Sequence, residues 1–187
     1  MGSGRRGTPR RLAKGFTLIE LIVTLAVTIT LACLAAPALS RLGNRSRLQA
    51  MQMELISSLN HARGLAVTSG RRTLLCPSQA GRRCDDGLHW EAGWLVGHYR
   101  SGQADQVDGE PRMVIPGNSR LTILSSAGRK RVRYQSDGTA GGSNVTFTLC
   151  VRGEAEGALT VVTSGAGRVY GAKASADEGK QCANSGP

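Results

Sequence analysis

The residues of this 187-residue chain whose types and spacing suit them to chemistry fall into a few groups. A carboxylate, Glu20, stands inside an apolar run that begins at Phe16 and continues to Leu39. A carboxylate in hydrocarbon costs about 2.5–3.5 kcal/mol on insertion scales, so it calls for a cationic partner. Cleavage between Gly15 and Phe16 would create one, an α-amino cation four residues before Glu20 on the same helical face. A second group is the basic segment Gly128-Arg129-Lys130-Arg131-Val132-Arg133-Tyr134. In an extended strand it puts Arg129, Arg131 and Arg133 on one face, with Val132 and Tyr134 turned toward a core. Such a row can hold phosphates, or it can be a solvated edge kept from aggregating by its charge. Five cysteines, Cys33, Cys76, Cys84, Cys150 and Cys182, form the third group.

Catalytic groups are not evident. His61, His89 and His98 are isolated, and no serine or cysteine stands in a nucleophile elbow or beside a visible base. Gly165-x-Gly167 lacks the third glycine, the flanking helix and the acidic partner of a dinucleotide loop. The cysteine spacing does not make a tight Cys-x-x-Cys zinc knuckle. The chain is therefore expected not to be an enzyme, and no cofactor or metal is expected.

The elements that must position these groups follow from hydropathy and charge. Residues 16–39 are long enough, at about 1.5 Å per residue, to cross a hydrocarbon core of roughly 30 Å. Arg5, Arg6, Arg10, Arg11 and Lys14 precede the run; without these five the 24 Lys and Arg become 19 against 13 acids, so the net charge falls from +11 to +6. By the positive-inside rule the N-terminus is cytoplasmic and everything after Arg41 lies outside, in an oxidising compartment. Two other N-terminal readings compete with cleavage after Gly15. A signal-peptide site would use Ala36-Pro37-Ala38, and a lipoprotein site would use Leu31-Ala32-Cys33. Neither accounts for Glu20.

Pro37 removes a backbone donor and is expected to kink or loosen the helix. Beyond it Leu48, Met51, Leu55, Leu59, Ala62 and Ala66 recur at steps of three and four, the stripe of an amphipathic helix, with Gly70 as its C-terminal stop. From residue 71 the texture changes to short strands, expected at 73–76, 89–99, 112–115, 120–125, 131–135, 145–151, 159–163 and 168–170. Val145, Phe147 and Leu149 alternate onto a buried face, Asp137-Gly138 reads as a turn, and residues 103–109 as an exposed loop. The result is an antiparallel β-structure laid on the second half of the helix. Cys33 is a small apolar residue of the membrane segment. The other four cysteines allow three pairings; the expected ones are Cys76 with Cys84, around Arg82-Arg83, and Cys150 with Cys182, tying a polar tail to a strand.

Lys14-Gly15-Phe16-Thr17-Leu18-Ile19-Glu20 resembles the type III signal of type IV pilins and type II secretion pseudopilins. That resemblance implies cutting after Gly15 and methylation of the Phe16 amine by a membrane aspartyl peptidase, the prepilin peptidase. It also implies that Glu20 meets the N-terminal amine of a neighbouring subunit during assembly, and pilins commonly carry a proline where Pro37 stands. The later pieces Asn60-His61-Ala62-Arg63, Thr73-Leu74-Leu75-Cys76, Trp90-Glu91-Ala92-Gly93-Trp94-Leu95-Val96, Tyr134-Gln135-Ser136-Asp137-Gly138, Thr146-Phe147-Thr148-Leu149-Cys150 and Ser164-Gly165-Ala166-Gly167-Arg168-Val169 occur in the order of the GspH/FimT family. The chain is identified by them as similar to the minor pilins and pseudopilins of that family.

The implied fold class is α+β, type IV pilin-like: a leader (1–15), a transmembrane helix segment (16–39), an amphipathic periplasmic helix (40–70) and a β-rich head with a disulfide-tethered tail (71–187). The implied role is a structural subunit that helps initiate or cap a type IV pilus or type II secretion pseudopilus. Its partners would be other major and minor pilins or pseudopilins, the prepilin peptidase and the inner membrane. Some FimT-like members are DNA receptors in natural transformation, where a C-terminal Gly-Arg-x-Arg makes much of the contact. Here Gly167-Arg168-Val169-Tyr170 lacks the second arginine. An alternative is therefore a tip receptor that holds double-stranded DNA without sequence specificity through Arg129, Lys130, Arg131, Arg133, Arg168 and Lys173.

Overall fold

The computed structural model describes Gly15 and residues 17–100 and 106–186. The leader up to Lys14, Phe16, and residues 103–105 of the expected 103–109 loop lie outside the described residues. The elements are α1 (Leu18–Ser69), β1 (Thr73–Pro77), β2 (Gly93–His98), β3 (Met113–Pro116), β4 (Leu121–Ser125), β5 (Val132–Tyr134), β6 (Val145–Val151), β7 (Leu159–Thr163), β8 (Val169–Lys173) and α2 (Ala176–Asn184). The chain divides into two compact units, Met1–Leu42 and Gly43–Pro187.

In the first unit the described chain is helical from Leu18 onward, and the helix runs on through Pro37 without interruption. Its large aliphatic side chains, from Leu18 to Leu42, are between 52% and 77% exposed. A helix apolar on every side has no solvent-facing stripe and no single core-facing stripe.

The second unit is built on the stripe that the spacing predicts. Leu48, Leu55, Leu59, Ala62 and Ala66 are buried and Met51 partly so. Gly70 ends the helix at φ +65°, a left-handed stop that a residue with a Cβ adopts at a cost. Two antiparallel four-stranded sheets, in the orders β3-β2-β1-β5 and β4-β6-β7-β8, join the helix in one core. Trp90 meets Phe147 edge to face there, with centroids 4.9 Å apart, a favoured arrangement for aromatic pairs.

Four expectations need correction or extension. The apolar stretch 89–99 is not one strand: β2 begins at Gly93, whose φ of +117° makes a corner so close to the chain that a Cβ would lie 2.6 Å from the Ile115 carbonyl oxygen. Residues 88–91 run along β4 instead. The Trp90 N–H donates to the Ile123 carbonyl (2.9 Å), the Ser125 N–H to the Leu88 carbonyl (2.9 Å), and the buried Glu91 carboxylate accepts the Ile123 N–H (3.1 Å). The chain thereby closes the free edge of β4, the hazard that an open strand presents. Strand 131–135 contracts to the three residues of β5. The polar tail is not merely tethered: it forms α2. Because α2 covers the outer face of β6, Thr148 and Cys150 are buried as well as Val145, Phe147 and Leu149.

Candidate functional site

Helix α1 is started by Thr17. Its carbonyl accepts the Leu21 N–H at 3.1 Å and its hydroxyl the Glu20 N–H at 3.3 Å, the work of an N-cap. Glu20 stands in the first turn, where the helix dipole favours an anion. The hydroxyls of Thr24, Thr28 and Thr30 donate back to the carbonyls of Leu21, Thr24 and Ala26, so those polar groups are satisfied within the helix. Glu20 is different. It is exposed and forms no salt bridge with the described residues. Gly15 is exposed, and Cys33 is an exposed free thiol.

The head holds two disulfides, Cys76–Cys84 with Cα atoms 5.5 Å apart and Cys150–Cys182 at 6.2 Å. The first closes a loop that is also stitched by side chains. The Ser78 hydroxyl donates to the Arg83 carbonyl (2.6 Å) and accepts the Gly81 N–H (3.0 Å), while the Asp85 carboxylate accepts the Gln79 N–H (2.6 Å). The second fastens α2, whose N-terminus is a capping box. The Ser175 hydroxyl accepts the Glu178 N–H (3.3 Å), and the Glu178 carboxylate accepts the Ser175 N–H (2.7 Å). That backbone donor, with the Ser175 hydroxyl, holds the Glu178 carboxyl below its ordinary range. Ser175-x-x-Glu178 is visible in the sequence and is the signal that could have revealed α2.

The basic segment is tied into the fold. Arg129 donates to the Asn144 side-chain oxygen at 3.2 Å, and Lys130 pairs with Asp86 at 2.8 Å. Arg131 approaches the same carboxylate at 4.0 Å, with its side chain only 9% exposed. The hydrogen bond from Lys130, followed by the charges of Lys130 and Arg131, lowers the Asp86 pKa. The Arg133 guanidinium lies 5.7 Å from the Tyr99 ring centre, and Arg72 lies 5.9 Å from the same ring. Arg168 and Lys173 are exposed, but β8 and β5 belong to different sheets. Val132 and Tyr134 do face the core, fully buried.

The histidines stay apart. His61 is exposed and His89 pairs with Glu91 at 3.1 Å. His98 is buried, and burial, then Arg71 and Arg112, push its pKa down against the opposing pull of Asp108. Among the described residues no three His, Cys, Asp or Glu side chains gather as metal ligands.

Three of the sequence motifs, around Arg63, Gly138 and Gly167, meet at one junction. Arg63 Nε donates to the Gly138 carbonyl at 3.0 Å. Gly167, at φ +78°, lies so near that a Cβ there would run into the Gly138 oxygen and come within 3.2 Å of Arg63 Nε. The Ala140 N–H reaches the Gly165 carbonyl at 2.9 Å. These residues join the helix, the β5–β6 turn and the β7–β8 turn, which is a structural task.

The family model for the type II transport protein GspH matches residues 52–167, more than half of the chain and all three arms of this junction. The chain belongs to the GspH family. As a GspH-family minor pilin or pseudopilin it is a structural subunit that assembles with other pilins or pseudopilins, and not an enzyme. The prokaryotic N-terminal methylation motif matches residues 10–35, which contain Gly15, Phe16 and Glu20. No curated protein matches the chain. Among solved structures, the type IV minor pilin FimU of Pseudomonas aeruginosa is similar in two crystal forms. In one the identity is 23% and the TM-score 0.56, over 71% of this chain and 92% of FimU; in the other they are 23% and 0.54, over 70% and 94%. The minor pseudopilin EpsH of Vibrio cholerae matches at 13% identity and a TM-score of 0.49, over 67% of this chain and 96% of EpsH. The likeness to FimU shows the expected type IV pilin-like fold. The GspH match stops short of β8 and α2, so Arg168, Tyr170 and the Cys182 half of the second disulfide lie beyond it.

Proposed function

We propose that this GspH-family chain is a minor subunit that helps to initiate or cap a type IV pilus or a type II secretion pseudopilus. A prepilin peptidase removes residues 1–15 and methylates Phe16, and residues 16–39 hold the subunit in the inner membrane, N-terminus cytoplasmic and head periplasmic, until it enters the filament. One observation carries this reading: Glu20 is an exposed carboxylate at the head of a wholly exposed apolar helix, four residues after the expected new amine, with no cation in the described chain to meet it. The amine of a neighbouring processed subunit supplies that cation. Residues 40–70 and the head then present the subunit to its neighbours, and the Cys76–Cys84 and Cys150–Cys182 bridges suit an oxidising compartment. Duplex DNA binding through Arg129, Lys130, Arg131, Arg133, Arg168 and Lys173 is less favoured, since Asn144, Asp86 and Tyr99 already engage the first four, and Arg168 and Lys173 belong with β8 in the other sheet.

The test is the mass of the N-terminal peptide of the protein purified from its own membranes. A chain beginning at N-methylated Phe16 is expected. A chain beginning at Cys33 or Leu39, or an uncut one, would overturn the proposal.

A further inference from the structure

The outer face of the β4-β6-β7-β8 sheet is only partly covered by α2. Side chains alternate along β6, so Thr146, Thr148 and Cys150 share the face to which Cys182 is bonded. Thr148 and its partner Thr160 are 8% and 4% exposed. The next row is not covered. Thr146 stands directly opposite Val162, and Val162 opposite Tyr170; Tyr170 is 53% exposed and is the one exposed aromatic residue among the described residues.

Beside this row lies a cleft of about 320 Å³ lined by Ser126, Asn144, Thr146, Val162 and Ser164, among others. A second space of about 540 Å³, bounded by Ser164, Arg168, Val169 and Tyr170, adjoins it at Ser164. Both are open depressions in the surface rather than enclosed pockets, so a ligand would lie across them. The first is lined by hydroxyls and an amide with an apolar floor, and among the described residues no carboxylate or ammonium lines it. Its polar groups are held in place. The Ser126 oxygen accepts the Thr146 N–H at 3.3 Å, and the Ser164 oxygen accepts the Arg168 N–H at 3.2 Å, so each hydroxyl keeps a proton to donate. Asn144 uses its oxygen for Arg129 and keeps its NH₂ group.

We propose that this surface binds an acidic saccharide. The face of one sugar ring packs on Tyr170, a carboxylate is paired by Arg168, and the hydroxyls of the adjoining rings are read across the sheet by Ser164, Thr146, Asn144 and Ser126. A rigid aromatic plate beside small hydroxyl and amide groups gives contact area and adaptable hydrogen bonding at little cost in side-chain entropy, and a guanidinium matches a planar carboxylate. A nucleic acid fits less well, because affinity for a phosphate polymer grows with the number of cations engaged, and this surface offers few: Arg168 bounds it, and Arg129, already held by Asn144, adjoins it.

The test is calorimetric titration of the full-length protein in detergent micelles with three probes: oligogalacturonate, maltohexaose as its neutral counterpart, and a short DNA duplex. Saturable binding of oligogalacturonate is expected, weakened at least tenfold by Tyr170→Ala and severalfold by Arg168→Gln, while any binding of maltohexaose is unmoved by Arg168→Gln. Matching unfolding temperatures establish that both exposed-site variants are folded. The proposal is overturned if oligogalacturonate does not saturate, if neither substitution weakens it, if maltohexaose binds equally well, or if the duplex binds tightest and responds to Arg168→Gln but not to Tyr170→Ala.

Discussion

Removing the Cys150–Cys182 bridge should release α2 before it unfolds the head. The helix has nine residues and buries only two of them, Gly179 and Cys182. Helices shorter than about 12–15 residues are marginal alone, and the Ser175–Glu178 capping box contributes about 1 kcal/mol. The bridge supplies the rest by loop closure. For global unfolding it joins residues 32 apart, which restricts the unfolded chain by about 3.7 kcal/mol. For local opening the relevant loop is shorter, because β7 and β8 stay folded. Only the stretch from Ala174 to Cys182, roughly nine residues, is freed, and its closure amounts to about 2.6 kcal/mol, close to a hundredfold in the opening equilibrium. Hydrogen exchange of the full-length Cys150→Ala/Cys182→Ala variant in micelles should therefore show amides 178–184 exchanging roughly a hundredfold faster than in the oxidised protein. Amides of β6 should change far less. The Cys76→Ala/Cys84→Ala variant, which opens a loop of separation 8, is the control: α2 exchange should be unmoved. If α2 in the first variant stays protected within about twofold of the parent, its cap and its contacts with β4 and β6 hold it unaided, and the reasoning fails.

Two further outcomes follow from single positions. Gly167→Ala forces a Cβ against the Gly138 oxygen at a φ of +78°, so it should cost at least about 1–3 kcal/mol; Gly70→Ala, at φ +65° but facing open space, should cost less, and paired urea unfolding curves measure the difference. Stability should decline at both ends of the pH range. The His98 pKa is lowered by burial, Arg71 and Arg112, so the unfolded chain takes up protons first and stability is lost as pH falls below about 6.5. Tyr134 is pushed up to about 12 by burial, an effect that Thr163 and Arg63 only partly offset; its contribution is complete below pH 10 and lost as pH rises toward about 12. Unfolding temperatures scanned against pH should show both limbs, with His98→Gln flattening the acid one and Tyr134→Phe the alkaline one.

Local pattern made most of the fold legible. The helical stripe from Leu48 to Ala66 and the alternation Val145-Phe147-Leu149 each report one buried face, and glycines punctuate the strands between them. Where two local signals overlapped, reading failed. Residues 89–99 are apolar enough to read as one strand, and only the left-handed corner at Gly93 reveals that Trp90 and Glu91 serve the edge of β4. Partners distant in sequence were invisible as well. Arg129, Arg131 and Arg133 read as one row of charge, because Asn144 and Asp86, which meet the first two, carry no mark of the pairing, and neither does the Lys130 that shares Asp86 from 44 residues away. Helix α2 was missed although its capping box stood in plain view, since a nine-residue helix burying two residues has no apolar stripe to read.

Helix α1 carries two apolar surfaces that need different partners. The stripe from Leu48 to Ala66 is covered by the chain's own sheets. The surface from Leu18 to Leu42 is not, and its exposed side chains, roughly a dozen, are each worth about 1.5–3 kcal/mol on burial. That sum far exceeds the 2.5–3.5 kcal/mol or so that one carboxylate costs in hydrocarbon. Glu20 therefore does not decide whether this segment is buried. In the proposed assembly it decides where, because an apolar helix slides along its neighbours with little preference for register until one charge on it must find one cation.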